Sequence, residues 1–298
     1  MCVLVLAVFS ATARGQLFVV NSGSDTVSEY NASTGQLIDG AFITGLSAPL
    51  SIAASGSFLY VSNSYSDSVA EYSASTGQLI NPALITGILP GGIAVSGSNL
   101  YVSNAYNGTV SEYDATTGQP TNQNYVSGLS GVLGLAVLGS NLFVVNEASG
   151  TIGEYNASTF QPINTQLVTG LNDPRDIVAS ASSLYVSSYS GGGVGEYNPL
   201  NGQTINANLV ASGQGTLGLL LSGSYLFVAN QATGTIGEFD AATGQAVNAS
   251  FVTGLDGPTE MAVISIPEPS TYAAILGAVA LGFSVVRRMR GSRAKVIK

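Results

Sequence analysis

The sequence predicts an all-β protein, and three observations lead to this fold class. A motif of the form Leu-aromatic-Val-x-Asn (Ser in the fifth copy) begins at Leu17 and recurs five more times, with successive starts 41 or 42 residues apart. Each period holds four short β-branched or aromatic segments separated by Gly, Ser, Asn or Asp, which is typical of strands and turns. The repeated region begins with the second of the four segments of a period and ends with the first segment of a further period. These features predict a six-bladed β-propeller with four-stranded antiparallel blades, in which the C-terminal strand closes the first blade.

The third copy illustrates the elements of one period in order. Its four segments are residues 92–95, 100–104, 109–113 and 125–126. The run Asp114 to Gln119 joins the third and fourth segments, and an Asx residue followed by Gly is typical of a tight hairpin connection. The fourth copy carries Phe160 where the other copies have Gly, so we expect its turn to differ. An open β-solenoid is the competing fold, but it does not require the matching offset at the two ends.

We expect the propeller to cover residues 16–265 and both ends of the chain to lie outside it. Residues 1–15 contain an apolar run followed by Ala11-Thr12-Ala13, which is typical of a secretory signal peptide, although no basic residue precedes the run. A buried first strand is the alternative interpretation. The only cysteine is Cys2, so a disulfide framework is excluded and the exported body must be stabilised by packing.

The C-terminal segment, residues 266–298, contains three parts in order. It begins with Pro267, Glu268 and Pro269, continues with 15 uncharged residues from 272 to 286, and ends with a basic cluster that includes Arg287, Arg288 and Arg290. Fifteen residues span about 22 Å as a helix, which is shorter than the ~30 Å hydrocarbon core. We therefore expect a marginal transmembrane helix at about 272–290. The arginines act as a cytoplasmic stop and leave the propeller on the outer face.

This order of parts resembles the PEP-CTERM sorting signal of Gram-negative bacteria. The resemblance implies that an exosortase-type membrane protease recognises the Pro-Glu-Pro segment and removes the tail. The protein would then be anchored transiently in the inner membrane before reaching the cell surface or extracellular matrix. A plain tail anchor is the alternative.

The 42-residue repeat also resembles known propeller repeats. The run from Leu100 to Gly118 resembles the YVTN-type propeller repeat of bacterial and archaeal surface proteins and, less closely, NHL-type repeats. YVTN-type propellers often have seven blades, so the resemblance alone implies a different number. The copies in this sequence predict six.

Composition excludes several classes of function. All but one of the 17 acidic residues lie between residues 16 and 266, where Arg175 is the only cation, so this region carries a net charge of about −15. Nucleic-acid binding is excluded because it requires clustered Lys or Arg. The chain has no His and no Trp, which excludes a Ser-His-Asp triad, a His/Cys zinc site and a haem site. We expect no cofactor, no metal and no catalytic residue.

Two polar series recur with the repeat. A Glu lies on the third strand of every copy and is followed by Tyr or Phe, and an Asn ends the second strand of five copies. The Glu series could form a cation funnel, but we expect these carboxylates to be separated and solvated near the rim, with the aromatic residues packed between blades. The Asn series could supply oxygen ligands to a Ca²⁺ ion, as in lactonase-type propellers, but capping of the local loops is the favoured role.

Departures from the repeat mark the candidate ligand contacts. Arg175 and Asp176 follow Asp173 and Pro174 at the start of a first strand, and Glu147 interrupts the repeat beside Asn146. Arg175 could neutralise its acidic neighbours or hold an anionic ligand in a bidentate contact. We name Arg175, Asp176 and Glu147 as possible ligand contacts.

The sequence favours an exported, non-enzymatic module that binds or scaffolds an extracellular polysaccharide or a surface protein. The alternative is a metal-assisted, lactonase-like hydrolase or lyase on the channel face. That alternative predicts a cluster of non-repeating carboxylates converging on the channel, whereas the binding module does not require one. Fold class cannot decide between them because propellers host both kinds of function.

Overall fold

The computed structural model describes residues 15–122 and 125–264, which form six antiparallel sheets around a central channel. The first strand of every sheet contacts the first strands of the two neighbouring sheets, so the ring is complete. This arrangement confirms the predicted six-bladed β-propeller.

The blades share one strand order, from the channel outwards, and among the described residues the third blade has three strands and each of the others four. Blade 1 contains β23 (Pro258–Ile264), β1 (Gln16–Asn21), β2 (Thr26–Asn31) and β3 (Leu37–Ile43). Blade 2 contains β4 (Pro49–Ser55), β5 (Phe58–Asn63), β6 (Ser68–Ser73) and β7 (Leu79–Thr86). Blade 3 contains β8 (Pro90–Ser96), β9 (Asn99–Asn104) and β10 (Thr109–Asp114). Blade 4 contains β11 (Val132–Leu138), β12 (Asn141–Asn146), β13 (Thr151–Asn156) and β14 (Pro162–Val168). Blade 5 contains β15 (Pro174–Ala179), β16 (Leu184–Ser188), β17 (Gly193–Tyr197) and β18 (Thr204–Val210). Blade 6 contains β19 (Thr216–Ser222), β20 (Tyr225–Asn230), β21 (Thr235–Asp240) and β22 (Ala246–Thr253).

The ring is closed by hydrogen bonding between the two ends of the repeated region. Strand β23 pairs antiparallel with β1, with Leu17 opposite Val263 and Val19 opposite Met261. The C-terminal strand therefore completes the first blade, as the offset ends predict. This closure removes the free sheet edge that a seam between the first and last blades would leave.

The hydrophobic core lies between neighbouring blades. The second strand of each blade carries a fully buried Leu at the same position, because this strand is covered on both faces by adjacent blades. The aromatic residues that follow the Glu series pack in the same layers, as predicted. Those that are buried are Tyr30, Tyr72, Tyr155, Tyr197 and Phe239, and Tyr113 is partly buried against the cluster formed by blades 2 and 3.

The hairpin between the third and fourth strands keeps one geometry in all copies, including the copy with Phe160. At Gly118 the φ angle is +67°, and an added Cβ would lie 1.9 Å from the backbone oxygen of Leu84 in the preceding blade. Phe160 adopts φ of +56°, and its N–H donates to the Asn156 carbonyl, as the N–H of Gly118 donates to that of Asp114. The expectation that this turn differs locally was wrong.

Phe160 fits this turn because the preceding blade differs from the others. Residues 125–126 were predicted as a fourth strand, but in the described part of blade 3 the chain after β10 makes two isolated bridges, Val110 with Val126 and Tyr113 with Pro120. The side chain of Phe160 is buried in the cluster that includes Val126. An aromatic side chain at residue 160 thus packs beside a blade whose described residues include no regular outer strand.

No helix in the described part of the chain is long and apolar enough to cross a membrane. The predicted transmembrane helix at 272–290 and the sorting residues 267–269 lie outside the described residues, as do the arginines of the basic cluster. So do residues 1–14 of the predicted signal peptide.

Candidate functional site: the central channel and its mouth

Two consecutive residues from each first strand line a cavity of about 160 Å³ at one end of the channel. The outer six form a ring that we call the collar: Leu50, Gly91, Leu133, Arg175, Leu217 and Thr259. The inner six form a ring that we call the waist: Ser51, Gly92, Gly134, Asp176, Gly218 and Glu260. Asp176 and Glu260 also line a second cavity on the far side of the waist, so both carboxyl groups are accessible along the channel.

Two carboxyl groups meet at the waist. Asp176 lies on β15 of blade 5 and Glu260 on β23 of blade 1, and their side chains hydrogen-bond across the intervening blade 6. Asp176 Oδ2 also accepts the N–H of Leu219 at 2.8 Å, and Glu260 Oε1 accepts that of Met261 at 2.9 Å. This pair links the closing strand to blades 5 and 6.

Each carboxyl group of the pair alters the ionisation of the other. Burial raises the pKa of Asp176 to about 6, while backbone N–H donors oppose the shift. Burial, and then the charge of Asp176, raise the pKa of Glu260 well above its usual range. Two adjacent carboxylates cannot readily both ionise, so the charged form of Asp176 favours the protonated form of Glu260.

Glycines on the neighbouring strands make room for these carboxyl groups. A Cβ at Gly218 would lie 2.9 Å from Glu260 Oε1, and one at Gly134 would lie 2.7 Å from Asp176 Oδ1. A Cβ at Gly218 would also lie 2.4 Å from the Thr259 carbonyl oxygen, and one at Gly134 would lie 2.7 Å from Asp176 Cα, so a larger residue at either position would force the inner strands apart.

Charged residues surround the channel mouth. Arg175 Nη2 lies 3.0 Å from Glu147 Oε1 and 2.7 Å from Asp173 Oδ1, and its guanidinium stacks 5.1 Å from the ring centroid of Tyr189. Ser190 Oγ donates to Asp173 Oδ2 at 2.6 Å. Of the three predicted ligand contacts, the structure brings Arg175 and Glu147 together and places Asp176 one residue deeper in the channel.

One polar side chain at the collar has no partner. Thr259 is only 8% exposed, and its Oγ1 is buried without a hydrogen bond. The Nε atom of Arg175 is also buried without one. Both residues line the same cavity beside the carboxyl pair.

The recurring Glu side chains are buried, which corrects the expectation that they are solvated. These residues are Glu29, Glu71, Glu112, Glu154, Glu196 and Glu238. In four blades the first residue of the second strand, or the residue before it, donates to the carboxylate: Gln16 to Glu29, Asn99 to Glu112, Asn141 to Glu154 and Ser183 to Glu196. Burial raises the pKa of Glu29, Glu71 and Glu154. The series is structural because all six side chains are buried and four of the carboxylates accept a hydrogen bond within their own blade.

Three of the five recurring Asn side chains hold loops, whereas the Oδ1 atoms of Asn21 and Asn146 are buried without a hydrogen bond. Asn104 Oδ1 accepts the N–H of Tyr106 in its own loop and that of Leu89 in the preceding one, and Asn63 Oδ1 accepts that of Ser47. Asn230 Oδ1 accepts the N–H of Thr233. These contacts support the predicted capping role. In the part of the chain that the structure describes, no group of three or more His, Cys, Asp or Glu side chains is placed to hold a metal ion.

Glu260 is the channel residue that sequence reasoning missed. The other copies carry Ser, Gly or Asp at this position of the first strand, so Glu260 departs from the repeat as clearly as Asp176 does. The signal was available by comparing that position across all six copies. The meeting of the two side chains across blade 6 was not available, because it depends on ring closure.

Solved structures with the same fold include distant proteins. The chain matches a structure titled as a nidogen/laminin complex with 13% identity and a TM-score of 0.69, covering 84% of this chain and 98% of the other. A protein of unknown function from Bacteroides caccae matches with 16% identity and a TM-score of 0.66, covering 85% and 100%. The computationally designed Ika8 protein matches with 18% identity and a TM-score of 0.53, covering 81% and 73%. These likenesses establish the fold alone.

The sequence also matches a protein family, although no curated protein matches it significantly. The family match runs over residues 23–250, from the first blade to the outer strand of the sixth. It supports the propeller part of the resemblance drawn from the repeat and leaves the sorting signal untested. The chain belongs to the PQQ_2 family, described as outer membrane protein assembly factor BamB.

Proposed function

We propose that this protein is an exported propeller of the cell envelope or extracellular matrix that binds or scaffolds another macromolecule without catalysing a reaction. The description of its family names an outer membrane assembly factor, which supports an envelope location. The observation that carries the binding role is the surface of the outer strands.

The outer strands expose apolar side chains at one repeated position. These residues are Ile38, Ile80, Ile163, Ile205 and Val247, each between 49% and 54% exposed. Asp39 is the only charged residue in the five regular outer strands. Natural proteins usually protect sheet edges with charge, and an unprotected apolar edge favours pairing with another chain. A surface protein that adds a strand is therefore the favoured partner, ahead of a polysaccharide.

The test compares lysine substitutions on and off this edge. We expect Ile80→Lys and Ile205→Lys in the full chain to reduce binding to isolated envelope proteins several-fold, because each places a charge on a strand edge. Leu200→Lys is the matched control, since Leu200 is 83% exposed in a hairpin outside the strands. Equal binding by all three variants and the wild type would reject the outer strands as the interface. Selective loss of polysaccharide binding would instead identify the polymer as the partner.

The proposed route to the envelope rests on the chain ends. The Pro267-Glu268-Pro269 segment, the short apolar stretch and Arg287, Arg288 and Arg290 support sorting by an exosortase-type protease after export. Mass spectrometry of the mature protein from its native host is the decisive measurement. Loss of the residues after the Pro-Glu-Pro segment is the expected result. A mature chain that retains them would identify the tail as a plain anchor.

A metal-assisted hydrolase or lyase remains a second candidate because two non-repeating carboxyl groups converge on the channel. An active enzyme of this kind would lose hydrolysis of lactone or ester substrates on chelation and on Glu260→Gln substitution. Activity insensitive to both changes would not originate at the waist.

A further inference from the structure

We infer that the channel mouth binds a primary ammonium group on a short aliphatic stem, with the ammonium at the Asp176–Glu260 pair and the stem inside the collar. A lysine side chain of a partner chain has this chemistry, as does a free alkylamine. The inference deepens the proposed binding role, on which it rests, by naming the ligand class for the channel face.

The waist and collar supply acceptors in the number that an ammonium needs. An alkylammonium group has three N–H donors and no acceptor. Asp176 Oδ2 and Glu260 Oε1 each accept a backbone N–H, so each carboxyl group has a second oxygen, and an ammonium would replace the hydrogen bond that now joins the two groups. Thr259, whose Oγ1 has no hydrogen-bond partner, lines the same cavity. Charge-assisted hydrogen bonds of this type are stronger than neutral ones. Two carboxyl groups with a hydroxyl side chain beside them therefore match the head group.

The collar matches an aliphatic stem. Leu50, Leu133 and Leu217 come from blades 2, 4 and 6, so apolar side chains alternate around the ring with Gly91, Arg175 and Thr259. The cavity of about 160 Å³ has room for four methylene groups and a nitrogen, since one water needs only roughly 10–15 Å³ on the same measure.

The charge of the channel selects a cation. Arg175 is the only cation among residues 16–265, and both Glu147 and Asp173 neutralise it, so the mouth has a net charge of −1. The carboxyl pair below it adds at least one more negative charge. A narrow channel lined by one sign of charge concentrates ligands of the opposite sign.

The same atoms suit an ammonium better than a calcium ion. Calcium takes 6–8 oxygen ligands including carboxylates. At the waist, one oxygen of each carboxyl group is already engaged by a backbone N–H, and the collar surrounding it carries three leucines. Binding of an ammonium would favour the charged form of both carboxyl groups, because a nearby cation stabilises carboxylates.

The experiment titrates the full chain with n-butylammonium chloride by calorimetry. n-Butanol tests the requirement for charge, tetramethylammonium tests the requirement for N–H donors, and a lysine-containing peptide tests whether a protein can supply the group. We expect n-butylammonium to bind at least about tenfold more tightly than the two small controls, because hydrogen bonds to charged groups are worth that much. Repeating the titration in buffers of different ionisation enthalpy should reveal proton release near pH 6. Binding should be lost at pH 4, where both carboxyl groups are protonated.

Variants locate the site. Glu260→Gln should weaken n-butylammonium binding roughly 10- to 100-fold, because it removes a charged acceptor while keeping the size of the protonated side chain. Asp39→Asn is the matched control, since Asp39 is exposed on β3 and the amide keeps its carbonyl oxygen. Circular dichroism checks that both variants fold.

Three outcomes would overturn the inference. These are equal affinity for n-butylammonium and n-butanol, equal weakening by both variants, and tight binding of Ca²⁺ without binding of the amine. Binding of n-butylammonium but not of the peptide would restrict the ligand to free amines and support the site. Outer-strand variants that lose envelope binding while still binding n-butylammonium would separate the two proposals.

Discussion

Phe160 of blade 4 packs edge-on against Tyr101 of blade 3, with ring centroids 6.2 Å apart and an interplanar angle of 72°. The equivalent hairpins in the other blades carry Gly with positive φ, and an added Cβ there would meet a carbonyl oxygen of the preceding blade's outer strand. The described residues of blade 3 form three regular strands. Phe160 thus supplies apolar contact beside a blade in which the structure describes no regular outer strand.

The first prediction concerns this substitution. Phe160→Gly should lower the free energy of unfolding by roughly 2–3 kcal/mol, because losing a buried Phe side chain costs about 3–5 kcal/mol while relief of the left-handed backbone returns about 1–2 kcal/mol. Urea denaturation measures the change. An unchanged or higher stability would show that the packing of the Phe160 side chain does not outweigh the backbone strain at this residue.

A matched pair of glycine substitutions tests whether contact with the preceding blade explains why the other hairpins carry Gly. Gly118→Ala should destabilise the protein by about 2–3 kcal/mol, since its Cβ would lie 1.9 Å from the Leu84 carbonyl oxygen. Gly97→Ala is the control because Gly97 has φ of +62° and open space around it, so only backbone strain of about 1–2 kcal/mol applies. Equal effects of the two substitutions would mean that contact with the preceding blade does not explain the requirement for Gly at residue 118.

Ring closure gives the next prediction. A chain that ends after Gly257 lacks β23 and should lose much of its cooperative thermal stability, because β1 would become a free inner strand and the Met261 side chain would leave the core. The control ends after Ser265 and retains β23. Thermal unfolding followed by circular dichroism distinguishes them. Identical melting of the two chains would reject closure by this strand.

The carboxyl pair at the waist predicts an unusual pH dependence. In the unfolded chain Asp176 loses its proton near its ordinary pKa of 3.8, whereas in the folded protein it keeps the proton up to about pH 6. Unfolding therefore releases a proton in this window, so stability should fall as the pH rises, by on the order of 1–3 kcal/mol between pH 4 and pH 7. The raised pKa of Glu260 acts in the same direction.

Urea denaturation at several pH values checks this dependence. The raised pKa values of Glu29, Glu71 and Glu154 act in the same direction, so the contribution of the pair is the difference between the wild type and Asp176→Asn. The variant should show the shallower slope. Parallel slopes would mean that the pair does not titrate in this range.

The sequence was most informative where the structure is periodic. The 42-residue period predicts the blades, and the offset ends predict that the last strand completes the first blade, because these contacts repeat or join adjacent units. The Asp176–Glu260 pair, by contrast, joins strands that are 84 residues apart in sequence, across a blade that contributes Gly218 and the N–H of Leu219. Repeat periodicity describes how one blade folds and does not describe which side chains converge across the channel.

Burial of the Glu series was missed for a related reason. A Glu on a third strand is most often exposed, and the sequence pattern does not show that the start of the second strand reaches the same carboxylate. The partner lies 13 residues earlier in four blades, as with Asn141 and Glu154. That spacing is visible in the printed sequence once the antiparallel register is known.

The last prediction tests whether these donors stabilise the blades. Asn141 Nδ2 donates to Glu154 Oε1 at 2.8 Å, and Glu154 is buried. Asn141→Leu should lower the free energy of unfolding at pH 7 by about 1–3 kcal/mol, because it leaves a buried carboxylate without this donor. Asn208→Leu, on the exposed face of β18, controls for the substitution itself. The double variant Asn141→Leu with Glu154→Leu should be more stable than the sum of the single effects predicts, because replacing both partners by apolar groups removes the unsatisfied charge. Additive effects measured by urea denaturation would show that the two side chains are not energetically coupled, and the recurring Glu would then need another explanation.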